Sequence, residues 1–480
     1  MRSIYWRMGA LAAVLIGSIV YWSNSSNLYS NQRSNAVEIL TLKVQDSSTI
    51  QALSQAGFDI AGIDFGENLV DIIVDETSKQ TLLSQFQGVS IAKSTPIDPA
   101  IAPDQGFTKP AELNEFLYDL ADRYPEIARL EVVGKSHEGR DIIALKISDN
   151  PNQRELDEPS VLFNGMHHSR EVMTTEVVMD AAEYLLTRYG SDQKVTDWVE
   201  NAEIWVLPML NPDGNNKVWN GSSMWRKNTR ESYGVDLNRN YPYNWNSCKG
   251  SSCSPFSQTY RGRSPGSEPE TKVLMGLVER IQPVFDISYH SYSELVIYPY
   301  GCPGKKTATR EVVEGIGKKM ASLIPSDTGR GTYRPGTAWE LLYAADGGDI
   351  DWMYGAHHVI PYVVELNSSR LGFQPDYRWR QPTVEKARAS WSFLLDRLTQ
   401  SGIRGVVRDQ DGKVQTNGTV TFSRVSPDTT DPITFNIKND GTYHLVLLPG
   451  TYRLDFKSSS RSAVTEVAVG SDLLVQDIEI

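Results

Sequence analysis

The strongest chemical signal in this sequence is a His-x-x-Glu pair and a distant third ligand. His168 and Glu171 stand two residues apart in Asn164-Gly165-Met166-His167-His168-Ser169-Arg170-Glu171, and His290 lies far downstream. Two imidazoles and a carboxylate can hold a divalent metal on three sides and leave its fourth position to water. That is the pattern of a catalytic zinc site, not a structural one. His167 offers a competing register, but only His168 gives the two-residue gap to the glutamate. The chemistry implied is hydrolysis, with zinc acidifying a water and polarising a carbonyl. The zincin signature H-E-x-x-H is absent. Gly262-Arg263-Ser264-Pro265-Gly266 fits the G-x-S-x-G spacing of serine hydrolases, but an elbow of that kind follows a buried strand, and Ser257-Gln258-Thr259-Tyr260-Arg261 is polar. Ser267-Glu268-Pro269-Glu270 reads instead as a capping box that opens a helix.

Such ligands need rigid elements to aim them. The apolar run Ser160-Val161-Leu162-Phe163 reads as a strand, followed by a turn and then a helical pattern from Thr174 to Leu186. Helical stretches at 110–124, 174–189, 270–281, 311–323 and 382–400 alternate with strand-like runs at 141–147, 160–163, 203–210, 285–289, 294–298 and 362–366. Alternation of this kind argues for an α/β domain with a mixed, largely buried sheet, spanning residues 105–400. Residues 36–104 read differently, as a small βαββαβ unit of ferredoxin-like order that closes in the proline-rich linker Ser94–Pro103. From 401 to 480 the helix signal disappears. Short alternating runs separated by Asn439-Asp440-Gly441 and Leu448-Pro449-Gly450 predict a small β-sandwich.

With 480 residues the chain has room for several domains, and 22% charged with 40% hydrophobic residues is ordinary globular composition. A net charge of −12 and the lack of any basic stripe argue against a nucleic-acid partner. Arg2 and Arg7 precede the apolar run Met8–Trp22, so residues 1–35 read as an export signal, or an uncleaved membrane anchor, with a polar tether. Export to a secreted, periplasmic or cell-surface location admits disulfides. Cys248 and Cys253, flanking Lys249-Gly250-Ser251-Ser252, are expected to close a small one, leaving Cys302 as a buried free thiol.

Several blocks in order make the central region resemble the zinc metallocarboxypeptidases of the pancreatic A and B type. They are the ligand run above, Asn211-Pro212-Asp213-Gly214, Trp225-Arg226-Lys227, Val235-Asp236-Leu237-Asn238-Arg239-Asn240, His290-Ser291-Tyr292-Ser293, Tyr298-Pro299-Tyr300-Gly301, Asp349-Ile350-Asp351-Trp352 and Val364-Glu365-Leu366. The resemblance implies a mixed eight-stranded sheet flanked by helices, and Zn2+ held by His168, Glu171 and His290. It implies Glu365 as general base and Arg226 as the cation beside the developing oxyanion. Asn238 and Arg239 become the clamp on a substrate's terminal carboxylate, which a planar guanidinium grips with two hydrogen bonds. Tyr343 matches a mobile tyrosine that closes on substrate, and Arg170 a residue that meets substrate further from the cleaved bond. Ile350 falls at the base of the side-chain pocket, favouring apolar C-terminal residues, although Asp346, Asp349 and Asp351 crowd the segment and leave broad preference open. The substrates implied are peptide or protein C-termini, acted on by a monomer. The N-terminal unit would be a prosegment removed by an activating protease, and the tail a transthyretin-like or regulatory-like domain. The rival readings are a zinc peptidase of cell-wall muropeptides and a non-catalytic surface-binding protein.

Overall fold

The alternating pattern folds into one large sheet between two layers of helices, preceded by one small sheet and followed by two. A computed structural model describes residues 37–459 and 461–480; the segment read as an export signal or anchor lies outside them. Among the described residues no helix is long and apolar enough to cross a membrane.

The first unit runs β1 (Val37–Lys43), α1 (Ser47–Gln55), β2 (Asp59–Asp64), β3 (Leu69–Val74), α2 (Glu76–Gln85) and β4 (Ser90–Ile97). Its strands pair antiparallel in the order β2-β3-β1-β4. Asp46 and Asp75 cap the two helices by accepting from Thr49 N and Ser78 N, which satisfies backbone donors that would otherwise lack a partner.

The central region follows with α3 (Pro110–Arg123), β5 (Ala128–Lys135), β6 (Asp141–Ile147), β7 (Ser160–Gly165), α4 (Met173–Arg188), α5 (Gln193–Val199), β8 (Glu203–Leu207) and α6 (Pro212–Trp219). Then come α7 (Pro269–Ile281), β9 (Phe285–Ser291), β10 (Leu295–Ile297), α8 (Arg310–Leu323), β11 (Arg334–Gly336), α9 (Ala338–Leu341), α10 (Asp349–His357), β12 (Ile360–Leu366) and α11 (Arg380–Arg397). The eight-stranded sheet has the order β11-β10-β12-β9-β7-β8-β6-β5. Its four middle strands are parallel, and β6 and β10 join them antiparallel. Every residue of β7, β8 and β9 is buried, because helices cover both faces. Strand alternation divides the core: Val161 and Phe163 face α4 and α11, whereas Leu162 faces α7 and α10.

The last region holds β13 (Gly402–Arg408), β14 (Thr419–Ser426), β15 (Ile433–Asn436), β16 (Thr442–Val446), β17 (Gly450–Lys457), β18 (Ser462–Val469), β19 (Leu473–Val475) and β20 (Ile478–Glu479). One sheet is β16-β13-β19, with β20 also on β13, and the other is β15-β14-β17-β18; their inner faces share a core around Val420, Leu454 and Phe456. Val446 belongs to the main core, and His358 at the end of α10 stacks on Phe435 with ring centroids 4.0 Å apart.

Three expectations need correction. Cys248 pairs with Cys302, 54 residues away, and Cys253 is a free, exposed thiol. The reason lies in Asp346, whose carboxylate accepts from Cys248 N (2.9 Å), Gly250 N (3.1 Å) and Ser251 Oγ. That grip folds the loop onto the turn at Gly301–Cys302 and leaves Cys253 beyond it. The run 203–210 is a strand only to Leu207, since Pro208 cannot donate to a ladder. The capping box is absent too. α7 opens at Pro269 with Glu268 as its cap, and Glu270 turns instead to His137 N (2.8 Å) and Asn228 (3.1 Å).

Candidate metal centre and active site

The expected ligands meet at the carboxyl ends of the parallel strands, where open α/β sheets place their sites. β7 ends at Gly165 and turns through Met166, whose backbone is left-handed (φ 62°). Thr174 ties this turn: its hydroxyl accepts from Met166 N (3.1 Å) and donates to Glu171 O (2.7 Å). Asn211 donates to the carbonyls of His167 and Lys227 (both 3.1 Å), and Ser169 N donates to Arg226 O (3.0 Å). The loop that carries His168 and Glu171 is thereby fastened to the segment that carries Arg226.

His168, Glu171 and His290 each aim one ligand atom into a common space, all within 4.8 Å of one another. Glu171 Oε1 is 2.8 Å from His168 Nδ1, and Oε2 is 3.1 Å from His290 Nδ1. The two Nδ1 atoms face each other at 3.1 Å. His168 Nε2 meets Asp236 Oδ1 at 3.1 Å, which sets that nitrogen as the donor and turns the Nδ1 lone pair inward. Two imidazole nitrogens and a carboxylate pointing at one spot fit a tetrahedral divalent cation such as zinc. Burial alone would raise Glu171, but His168 and His290 hold it below the usual carboxylate range. Burial lowers His290 as well, yet the pull of Glu171 prevails and raises it.

His167 lies outside this set. Its Nε2 meets Tyr241 Oη at 2.9 Å and its Nδ1 meets Ser288 Oγ at 3.3 Å. Burial pushes it down to about 3, so it is neutral. His167, His290 and Asp349 do form a second converging set, but Tyr241 already occupies the His167 nitrogen nearest Asp349.

One cavity of about 790 Å³, open mouth included, is lined by the three ligands together with Arg226, Asn238, Arg239, Tyr343, Ile350 and Glu365. Glu365 sits in β12 directly opposite His290 in β9. Burial pushes it up to about 8 against the pull of His290, with Glu171 raising it further. Arg226 donates to Asp236 Oδ2 from Nη2 (2.9 Å) and Nε (3.3 Å). Arg239 Nε donates to Gly250 O (3.1 Å) and Nη1 to Asn238 O (2.6 Å). The Asn238 side chain accepts from Asp349 N (2.9 Å), and its Nδ2 lies 3.3 Å from His290 Nε2. Ile350 packs with Leu295, Ile297 and Val363, and lines the cavity together with the last two. Tyr343 is half-buried against the core of the N-terminal sheet.

Two residues matter here beyond those expected. Asp236 joins His168, Arg226 and the backbone of Asn238 (N–Oδ1 3.0 Å) through one carboxylate. Burial opposes its ionisation, but Arg226 and His168 hold it well below the ordinary value. Its signal in the sequence was a charge between Val235 and Leu237, both fully buried. Asp59 is the other. It reaches in from β2 and takes Arg170 in a two-pronged pair, Nη1–Oδ2 2.6 Å and Nη2–Oδ1 2.8 Å.

Residues 113–390 match the zinc carboxypeptidase family. The chain belongs to that family. A zinc carboxypeptidase of Saccharothrix mutabilis subsp. capreolus is 37% identical over 284 residues, covering 55% of this chain and 62% of that protein. A metallocarboxypeptidase A-like protein of Trichophyton verrucosum is 32% identical over 259 residues, covering 52% of this chain and 60% of its own length. The chain thus spans about three-fifths of these relatives. Among solved structures, carboxypeptidase A of Helicoverpa armigera superposes with a TM-score of 0.64 at 24% identity, over 75% of this chain and 96% of that one. That likeness extends the family's fold to this member.

Proposed function

We propose that this zinc carboxypeptidase homologue hydrolyses the last peptide bond of peptide and protein chains, with apolar or broad preference for the residue released. The observation that carries the reading is the pairing of Glu365 with His290 on adjacent strands, in the cavity that also holds Arg226 and Arg239. His168, Glu171 and His290 would hold zinc, which when bound supplies Lewis acidity and acidifies a water. Glu365 is the group placed to accept a proton from the attacking water and to return one to the departing amine. A carboxyl pushed toward neutrality by burial is suited to both transfers. Arg226, kept charged by Asp236, stabilises the oxyanion. Arg239, assisted by Asn238, binds the terminal carboxylate, and Tyr343 closes over the substrate. Ile350 gives the side-chain pocket an apolar wall.

The same reading divides the chain into an exported leader (1–35), a prosegment (36–104), a catalytic domain (105–400) and an accessory β-sandwich (401–480), working as a monomer. Support for a prosegment comes from what β2 and the neighbouring β3 touch. Ile60, Ala61 and Gly62 line the catalytic cavity, Ile63 N donates to Ser293 Oγ (3.0 Å), and Tyr292 Oη donates to Asp71 (2.9 Å). Cleavage by a second protease in the exposed linker would free the cleft. The test is release of C-terminal residues from a peptide panel, by the chain before and after linker cleavage, with zinc, with chelator and with Glu365→Gln. Chelator-sensitive release that needs Glu365 is expected. No release from the cleaved, zinc-loaded protein would overturn the proposal.

A further inference from the structure

We infer that the seam between the β-sandwich and the catalytic domain is a binding site for a divalent oxyanion of the phosphate or sulfate class, gripped by Arg404, Lys438 and His444. Arg404 and His444 sit directly opposite each other on β13 and β16. Their neighbours Ile403, Tyr443 and Leu445 point into the core of the sandwich, so strand alternation turns Arg404 and His444 outward, toward the catalytic domain. Two adjoining cavities lie there, of about 400 and 710 Å³ with their open mouths included. Lys438 and His444 line both, and Arg404 lines the smaller, which Arg154 and Pro159 close from the catalytic side.

These donors lack a partner in the protein. Among the described residues neither Arg404 nor Lys438 makes an ion pair, and Arg404 Nε and His444 Nδ1 are buried atoms without a hydrogen bond. The nearby carboxylates are engaged elsewhere. Arg154 takes Asp440 (2.8 Å) and Glu203 (2.9 Å), and Lys146 takes Glu203 as well (2.8 Å). Glu158, pushed up to about 8, holds its proton at neutral pH. Asp157 and Asp477 line the smaller cavity too, but both are exposed, where water screens them. Burial pushes Lys438 down to about 8, and burial together with Lys438, Arg404 and Arg397 holds His444 well below its ordinary value. Native folds leave few buried polar groups unpaired, and a bound ion is one physical reason for such a set. A guanidinium fork, an ammonium and an imidazole N–H can all donate to one tetrahedral oxyanion, whose two charges balance Arg404 and Lys438. Because the cavity walls come from both domains, the anion would also fasten the tail to the catalytic body.

The test is equilibrium dialysis of radiolabelled sulfate and inorganic phosphate against the full zinc-loaded chain, at constant ionic strength set with chloride. A melting shift would not serve, since both anions stabilise proteins by exclusion from their surfaces. One site per chain with a Kd of about 0.1–1 mM is expected. Arg404→Gln and Lys438→Gln should each weaken it by about tenfold, whereas Arg239→Gln, in the catalytic cleft, should leave it intact. Phenyl phosphate as competitor identifies the source. Tighter binding than inorganic phosphate would mean an ester whose ring lies beside Phe435 in the larger cavity, and equal or weaker binding would mean the free anion. No saturable uptake of either anion, or uptake that survives both seam variants, would overturn the inference. The wild-type measurement needs no variant, so a misfolded Arg404→Gln cannot shelter it.

Discussion

Glu365 can act as a base only if its environment makes a proton easy both to take and to give. Its burial beside Glu171 raises its affinity for the proton, and His290, Arg226 and Arg239 oppose that. Glu365→Gln keeps the shape and removes the exchange, so kcat should fall roughly 100- to 10,000-fold with KM little changed, as steady-state kinetics on a C-terminal Phe or Leu peptide would show. Asp236 acts at one remove. Asp236→Asn should weaken zinc retention roughly 10- to 100-fold in competition with a chelator, because the carboxylate sets the tautomer and angle of His168. His168, Glu171 and His290 stood out by type and spacing, whereas Glu365, Arg226, Asn238 and Arg239 were expected from the family resemblance; all of them line one cavity. Asp59 was signalled by neither, since it lies 109 residues before His168 in a segment whose own pattern speaks only of strand. A buried charge announces its partner through contact alone.

At the level of elements, the long buried strands and amphipathic helices stood out in the sequence, and the short or half-exposed ones did not. β5 is an edge strand whose half-buried Arg129 and Glu131 pair with each other, and Glu131 also with Arg280 of α7, which blurs the alternation. β11 has three residues, one of them proline, and α10 opens on Asp349-Ile350-Asp351, whose charges hide its start. The disulfide was misread because loop composition cannot reveal that Asp346 folds 248–251 against 301–302. Its restraint reaches the clamp, since Gly250 O, two residues from Cys248, accepts from Arg239. Cys302→Ser should lower unfolding free energy by about 2–4 kcal/mol in urea titrations. It should also raise KM for C-terminal peptides more than it lowers kcat. The contact between β2 and Tyr292 tests the proposed prosegment: Gly62→Ala cannot be seated without displacing that ring, so on that proposal the uncleaved chain should gain activity in a peptide-release assay.

Over the whole molecule, charge balance shapes stability as well as catalysis. Glu158 is pushed up to about 8 by burial first and then by Glu155, Asp149 and Glu203. Between its ordinary value of 4.5 and about 8 the folded chain keeps a proton that the unfolded chain has released, so this group lowers stability as pH rises through that window. In Glu158→Gln the fall in urea midpoint between pH 5 and pH 8 should shrink. A fall unchanged by the substitution would assign it to other carboxyls.

The contact of β2 with the cleft also has a meaning in the order of synthesis. β2 leaves the ribosome before Arg170, Tyr292 and Phe373, the surfaces it meets. The cover is thus already made when the cleft first closes around its ligands. On the proposed prosegment reading, a nascent chain that folds in this order would not present an open hydrolytic site to the cell that builds it.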